Sequence, residues 1–127
     1  MNKTNVVIKA RDLRESYSVL QELSTMKSKS ATYALFFGLN MKTLEENFAE
    51  IEAQRIELIK RYGKEDETGN VEVTKENYPD FSEAFSGLME AELAVELYLF
   101  SASKLELMFF DVTPIQMIKI SYMVQYD

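Results

Sequence analysis

The residues of this chain that could carry chemistry are carboxylates, lysines and arginines. The sequence of 127 residues contains no histidine and no cysteine. Their absence removes the usual zinc ligands, the Ser-His and Cys-His nucleophile pairs and the most common general base. An enzyme of this composition would need two acids that converge in a cleft, as in glycoside or phosphoester hydrolysis, or an acidic Mg²⁺ site.

Glu92 and Glu96 are the acids whose spacing first suggests a pair. They lie in residues 92–99, where apolar residues alternate with other residues over eight positions. That period of two predicts a strand with one buried face and places both glutamates on the opposite, solvent-exposed face. We therefore interpret them as solvated strand surface and predict no catalytic residues.

A second acidic group, Glu65, Asp66 and Glu67, lies in a charged turn. It lacks the alternating oxygen ligands and the distal glutamate of a calcium-binding EF-hand loop. No metal and no cofactor is predicted.

The net charge of −7 is unevenly distributed. Residues 1–43 hold seven Lys and Arg against three acids, a net charge of +4, so residues 44–127 carry −11. A nucleic-acid-binding protein should show a dense basic face, and these basic residues are scattered. Nucleic-acid binding is not predicted, and the acidic part is either a solvated surface or a mimic of nucleic acid.

Length and apolar patterning predict one domain over residues 1–127. No apolar run reaches 18 residues, and the first residues are not followed by a signal-peptide core. We expect no membrane association and a location in the cytoplasm.

One long helix is predicted from residue 30 to residue 62. Ser30 can cap it, and Gly63 can stop it. A helix of this length would extend about 50 Å, whereas a compact domain of this size spans only roughly 36 Å. Such a helix would need more chain, or a second copy, to cover its apolar stripe.

Shorter elements complete the predicted fold. Asp12 should cap a helix over residues 12–24, and another helix should follow residue 77. Residues 101–107 are either the partner strand of a hairpin or a short helix, and Ser101 as a possible cap favours the helix. Thr113 and Pro114 should begin a last helix. The predicted class is α+β: a helical hairpin with one long helix (about 30–62), packed with a small antiparallel sheet (about 5–10, 71–73 and 92–99) and a C-terminal helix.

Two segments are apolar on most sides. Residues 33–39 are expected to be core, before the long helix becomes a one-sided amphipathic arm. Residues 115–124, with Phe110 and Tyr126 nearby, should be either core or a surface between subunits. The predicted partner-binding residues lie on the arm and in this last segment: Phe48, Ile51, Arg55, Leu58, Tyr62, Ile118 and Tyr122.

The segment from Tyr33-Ala34-Leu35 through Ile51-Glu52-Ala53-Gln54-Arg55 and Leu58-Ile59-Lys60-Arg61-Tyr62-Gly63 to Asp66-Glu67-Thr68-Gly69-Asn70-Val71 resembles a protein family. The family comprises small proteins of unknown function from tailed bacteriophages and prophages. In it a long Leu/Glu/Lys helix ends near Tyr-Gly and leads into an Asp-Glu-x-Gly turn, a strand, a helix and an alternating strand. The resemblance implies a phage origin and brings no catalytic residues.

The expected function is a non-enzymatic bacteriophage protein that acts through protein–protein interaction, in virion assembly or at the tail, or by inhibiting a host factor. Its partner would be a second copy or another phage or host protein, in the host cytoplasm or in the virion. Two alternatives stay open. One is a sponge for an anionic small molecule such as a nucleotide, held by Arg55, Arg61 or Lys64 with a tyrosine. The other is a carboxylate-dependent hydrolase.

Overall fold

The computed structural model describes residues 1–109 and 111–125. Its helices and strands, in chain order, are β1 (Lys3–Lys9), α1 (Ala10–Ser24), α2 (Ala31–Tyr62), β2 (Gly63–Glu65), β3 (Val71–Val73), α3 (Tyr78–Glu90), β4 (Glu92–Tyr98), β5 (Phe100–Ser101), α4 (Ala102–Met108), α5 (Pro114–Lys119) and β6 (Val124–Gln125). The predicted α+β class, with a long helix, small antiparallel sheets and a C-terminal helix, is confirmed. Phe110 and Tyr126 lie outside the described residues.

The long helix α2 is continuous over its 32 residues. It is therefore about 48 Å long at 1.5 Å per residue. Ser30 caps it as predicted, because its side chain accepts a hydrogen bond from the Tyr33 N–H at 3.2 Å. This cap satisfies one of the backbone donors that the first turn of a helix leaves unpaired.

The first helix begins earlier than predicted, and Asp12 is not its N-cap. α1 starts at Ala10, directly after β1, and Asp12 occupies the third helical position. There its carboxylate accepts a hydrogen bond from the Lys9 N–H at 3.4 Å. The earlier start follows from packing, because Ala10 is completely buried and its N–H donates to the Ala91 carbonyl.

The strands form three separate pairs. β1 and β4 pair antiparallel from Lys3 with Tyr98 to Lys9 with Glu92. β2 and β3 form an antiparallel hairpin, and β5 and β6 pair parallel. Residues 71–73 therefore do not join the sheet with 92–99, which differs from the single predicted sheet, because the chain turns back immediately after α2 and pairs with the nearest strand.

Gly63 ends α2 as predicted, but conformational freedom is not the reason. Its backbone is extended, with φ −100° and ψ 172°, which any residue can adopt. A Cβ atom at this position would collide with the Ile59 carbonyl oxygen and lie only 2.7 Å from Val71 Cγ1. The glycine lets β3 approach the end of the helix closely.

The core lies between α1, one side of α2, and the β1–β4 sheet. Its completely buried members include Leu13, Leu20, Leu44, Leu97 and Phe100. Asn40 joins α2 to the end of β4. Its amide accepts from the Tyr98 N–H and donates to the Tyr98 carbonyl, both at 2.8 Å.

The prediction that residues 33–39 are core on all sides is wrong. Phe37 is buried and contacts the rings of Phe100 and Phe109, but the side chain of Leu35 is 60% exposed and Leu39 is also exposed. α1, α3 and β4 all pack against α2. Because they cover one side of the helix, the apolar residues on its opposite side remain at the surface.

The last helix is shorter than predicted. α5 ends at Lys119, a 3₁₀ turn follows at Ser121–Met123, and the chain then extends into β6. Ile120 and Met123 are completely buried. The apolar residues of this segment are therefore divided between an exposed helix and a buried turn.

Candidate protein-binding surfaces

The five predicted partner-binding residues of α2 face the protein's own helices. Phe48 stacks on Tyr17 of α1, with ring centroids 3.8 Å apart and planes 2° from parallel. Ile51 is only 2% exposed. Ile51 is therefore a core residue, and its assignment to a partner surface is corrected: the apolar stripe that suggested an interface is covered by α1 and α3 of the same chain.

Arg55 forms an ion pair inside the molecule. Its Nε donates to Glu52 at 2.8 Å, and Arg14 of α1 donates to the other oxygen of the same carboxylate at 3.2 Å. Burial alone would raise the pKa of Glu52, but the hydrogen bonds and charges of Arg55 and Arg14 outweigh it, so the pKa of Glu52 lies below its usual value. Arg55 thus holds the Glu52 carboxylate within α2, and the contact between α1 and α2 is made by Arg14.

Leu58 and Tyr62 are partly exposed and lie beside α3. The Tyr62 ring meets the Phe81 ring edge-on, with centroids 6.4 Å apart. Leu58 lines an open groove of about 520 Å³ between α2 and α3, together with Arg61 and Leu88.

The C-terminal helix α5 has no buried residue. Thr113 caps it by accepting from the Gln116 N–H, while the Gln116 side chain accepts from the Thr113 N–H. Ile115 is 66% exposed and Ile118 is 71% exposed, and a spacing of three places them on one side of a helix. Sequence reasoning selected Ile118 and missed Ile115, which that spacing identifies.

α5 is held in place by buried residues that follow it and by a hydrogen bond to α1. Ile120 and Met123 anchor the 3₁₀ turn, and Gln116 donates to Glu22 of α1 at 3.1 Å. The Tyr122 hydroxyl lies 2.9 Å from the Ser16 hydroxyl. Tyr122, predicted to bind a partner, therefore serves mainly as an internal anchor.

The hydrogen bond between these hydroxyls has a direction. The Ser16 hydroxyl donates to the Leu13 carbonyl at 3.0 Å, which leaves Tyr122 as the donor to Ser16. Burial of the hydroxyl raises the pKa of Tyr122 to about 12. Tyr122 accordingly keeps its proton throughout the physiological range.

An apolar cavity of about 480 Å³ opens beside α5. Its walls come from α4, α5, β6 and the segment between the two helices, and include Leu105, Phe109, Val112, Met117 and Val124. On the other side of α5, Ile118 and Lys119 border a more polar hollow with Asp12 and Glu15 of α1. We use the name C-terminal surface for Ile115, Ile118 and the apolar cavity.

The acids considered for catalysis stay apart from these hollows. Glu92 and Glu96 are exposed on the solvent face of β4, as the alternating pattern predicted. Within residues 1–109 and 111–125, no three acidic side chains cluster so that they could hold a metal ion. Asp66 instead organises the turn between β2 and β3 by accepting from the N–H groups of Thr68 and Asn70.

The basic residues considered for an anionic ligand do not converge on one pocket. Arg61 lines the groove beside α3 together with Glu57, while Arg55 pairs with Glu52. Lys64 lies beyond both, in β2. These positions leave no cluster of positive charge that would select a phosphate.

Within the described part of the chain, none of the helices is long and apolar enough to cross a bilayer. Comparison with protein-family models, with curated proteins and with solved structures finds no match to this chain.

Proposed function

We propose that the protein is non-enzymatic and acts by binding another protein through the C-terminal surface. The exposure of Ile115 and Ile118 on a helix whose other side lines an apolar cavity is the observation that supports this function. Adjacent exposed aliphatic side chains rimmed by polar residues are typical of protein-binding sites. A partner that packs an apolar surface against α5 would remove the side chains of Ile115 and Ile118 from water.

The position of α5 fits this role. The helix is fixed by a capping box at its start and by the buried Ile120 at its end, so its exposed face is held in one orientation. A preformed surface of this kind loses little conformational entropy when a partner binds. The unfavourable free energy of exposing the isoleucines to water in the free protein is then removed in the complex.

The resemblance to phage proteins supports the proposal of a bacteriophage origin. The partner would then be a virion or tail component during assembly, or a host factor that the protein inhibits. Either role is consistent with action in the host cytoplasm, and the first also with a place in the virion.

The test is recovery of a partner from infected or lysogenic cells with tagged wild-type protein and with the Ile115→Asp/Ile118→Asp double variant. A Val7→Asp variant is the matched control, because Val7 is equally exposed but lies in β1. We expect a defined partner that wild type and the Val7 variant retain and that the double variant loses. A partner bound equally by all three proteins would contradict the assignment of this surface.

A further inference from the structure

The outward side of α2 carries a second seam, five of whose seven residues are apolar, that no other part of the described chain covers. Its residues are spaced alternately by four and three positions and are all exposed: Leu35, Leu39, Lys42, Glu46, Ala49, Ala53 and Ile56. We call this set the outer seam. A 4-3 alternation is the spacing at which two helices pack along their length as a coiled coil.

The outer seam lies opposite the face that packs on the protein's own core. The buried residues of α2 are Phe37, Asn40, Met41, Leu44 and Ile51. One helix therefore has two contact stripes, and the internal stripe is occupied by α1, α3 and β4. The outer seam is available to a separate molecule.

We propose that two copies of this chain form a dimer in which the two α2 helices run antiparallel along the outer seam. In the proposed register Lys42 lies opposite Glu46 of the partner subunit. The same register places Leu39 opposite Ala49 of the partner subunit and Leu35 opposite Ala53 of the partner subunit. Every contact occurs twice, because the arrangement has two-fold symmetry.

The charges of Lys42 and Glu46 favour the antiparallel pair in this register. A parallel pair in register would place Lys42 against Lys42 of the partner subunit, with Glu46 likewise facing its own copy, and like charges repel. Shifting the antiparallel pair by one heptad places Lys42 opposite either an alanine or a leucine and leaves its charge unpaired. In the proposed register each lysine meets a glutamate.

Side-chain size selects the same register. Leu35 and Leu39 are large, and the residues they would face are alanines. A large residue opposite a small one lets two helices approach closely and fill the space between them, as in ridges-into-grooves packing. A leucine that is 60% exposed in the single chain then becomes buried.

This dimer goes beyond the proposed function and uses a different surface. The outer seam is formed by α2, whereas the partner-binding residues belong to α5 and its cavity. Loss of one association should leave the other intact, so the two proposals can fail independently.

The test is the mass in solution of the full chain by sedimentation velocity over a range from about 1 to 100 μM. We expect wild type to form a dimer of twice the chain mass of 14.7 kDa. The Lys42→Glu variant, which puts two glutamates face to face, should weaken the dimer at least tenfold. The Lys42→Glu/Glu46→Lys double variant should restore it, because the pair is reversed and not removed.

Lys60→Glu is the matched control. It makes the same charge change on the same side of α2, but Lys60 lies beyond the paired segment in the proposed register, so the dimer should persist. The Ile115→Asp/Ile118→Asp variant should also remain dimeric. A wild-type protein that stays monomeric at 100 μM overturns the proposal, as does a dimer that Lys42→Glu does not affect or that the double variant does not restore.

A cross-linking measurement checks the register directly, since the chain has no cysteine of its own. The Leu39→Cys/Ala49→Cys double variant should form an intermolecular disulfide under mild oxidation, and either single variant should not. Cross-linking of the Leu39→Cys variant to itself would show a parallel pair and contradict the antiparallel one.

Discussion

At the scale of single residues, polar side chains in this protein mostly serve to join elements. Glu52 connects α2 to α1 through Arg14, and Tyr122 connects the C-terminal turn to α1 through Ser16. No buried side-chain nitrogen or oxygen in the part of the chain that the structure describes lacks a hydrogen-bond partner. The spacing of three residues allows Arg55 to pair with Glu52 within α2, but only the fold brings Arg14 of α1 to the same carboxylate.

The Glu52 ion pair should make stability depend on pH. Its pKa is lower in the folded protein than in the unfolded chain, so its contribution is present above the unfolded pKa and is lost as pH falls through the folded value. We expect Glu52→Gln to lower the free energy of unfolding by about 1 kcal/mol at pH 7. Urea denaturation should show this difference shrinking below about pH 4, the usual range of a glutamate pKa.

Glu83→Gln provides the control for that measurement, since Glu83 is exposed on α3. Its stability should match wild type within about 0.5 kcal/mol at both pH values. A Glu52 variant as stable as wild type at pH 7 would show that the two arginines contribute nothing to holding the helices.

Tyr122→Phe should remove the hydroxyl that donates to Ser16 and leave the ring in place. We expect a loss of about 1 kcal/mol in the free energy of unfolding, because Ser16 keeps its own bond to the Leu13 carbonyl. A double-mutant cycle with Ser16→Ala isolates the interaction. Additive effects of the two substitutions would mean that the hydroxyls are not coupled.

At the scale of elements, α2 organises the fold by packing on one side only. The start and the end of α2, and therefore its length, follow from two local signals in the sequence. Ser30 caps the helix, and Gly63 stops it. Which of its two apolar stripes faces inward does not follow from them. The sequence predicts an interface at the inner stripe because it does not show that α1 and α3 pack there.

Asn40 shows how an element is fixed by one side chain. It satisfies both backbone groups of Tyr98 at the end of β4. Asn40→Leu should therefore cost about 2 kcal/mol, because two partly buried backbone groups lose their partner. Hydrogen exchange should show faster exchange of the Tyr98 amide.

Asn47→Leu is the matched control for Asn40, since the Asn47 side chain bonds only within α2, to the Thr43 carbonyl. It should cost less than about 1 kcal/mol and leave exchange at Tyr98 unchanged. Equal protection of the Tyr98 amide in the Asn40 variant and wild type would contradict the role given to Asn40.

Two glycines should respond in opposite directions to alanine. Gly63→Ala should destabilise the protein by about 2 kcal/mol, because the new methyl group meets the Ile59 carbonyl and Val71. Gly87→Ala, in α3, meets nothing within 4 Å and should stabilise by about 0.5–1 kcal/mol through helix propensity. Thermal unfolding of the two variants measures both changes in stability. A Gly63→Ala variant as stable as wild type would show that β3 can move away from the end of α2.

At the scale of the whole molecule, the helical hairpin of α1 and α2 packs against the β1–β4 sheet, and α5 packs against α1. The Tyr17–Phe48 stack lies within the hairpin, between α1 and α2. Phe48 is thus part of the tertiary structure of one chain, and the proposed contacts with other molecules lie at α5 and at the outer seam.

Phe48→Ala should accordingly affect folding and not assembly. We expect a loss of about 2 kcal/mol, less than for a completely buried phenylalanine because Phe48 is only partly buried. Leu107→Ala, an exposed position on α4, should change stability by less than about 0.5 kcal/mol. Chemical denaturation gives both values. If the folded Phe48→Ala protein forms a weaker dimer, Phe48 lies at an interface after all.

The sequence by itself determined the α+β class, the extent of the long helix, the alternating strand and the absence of histidine and cysteine chemistry, because periodicity, caps and composition are local properties of the chain. Only the tertiary structure decided that residues 71–73 pair locally, that Ile51 is core, and that Leu35, Ile115 and Ile118 face outward. An apolar residue on a helix is buried only if another element reaches it, and which elements meet depends on contacts between distant parts of the chain.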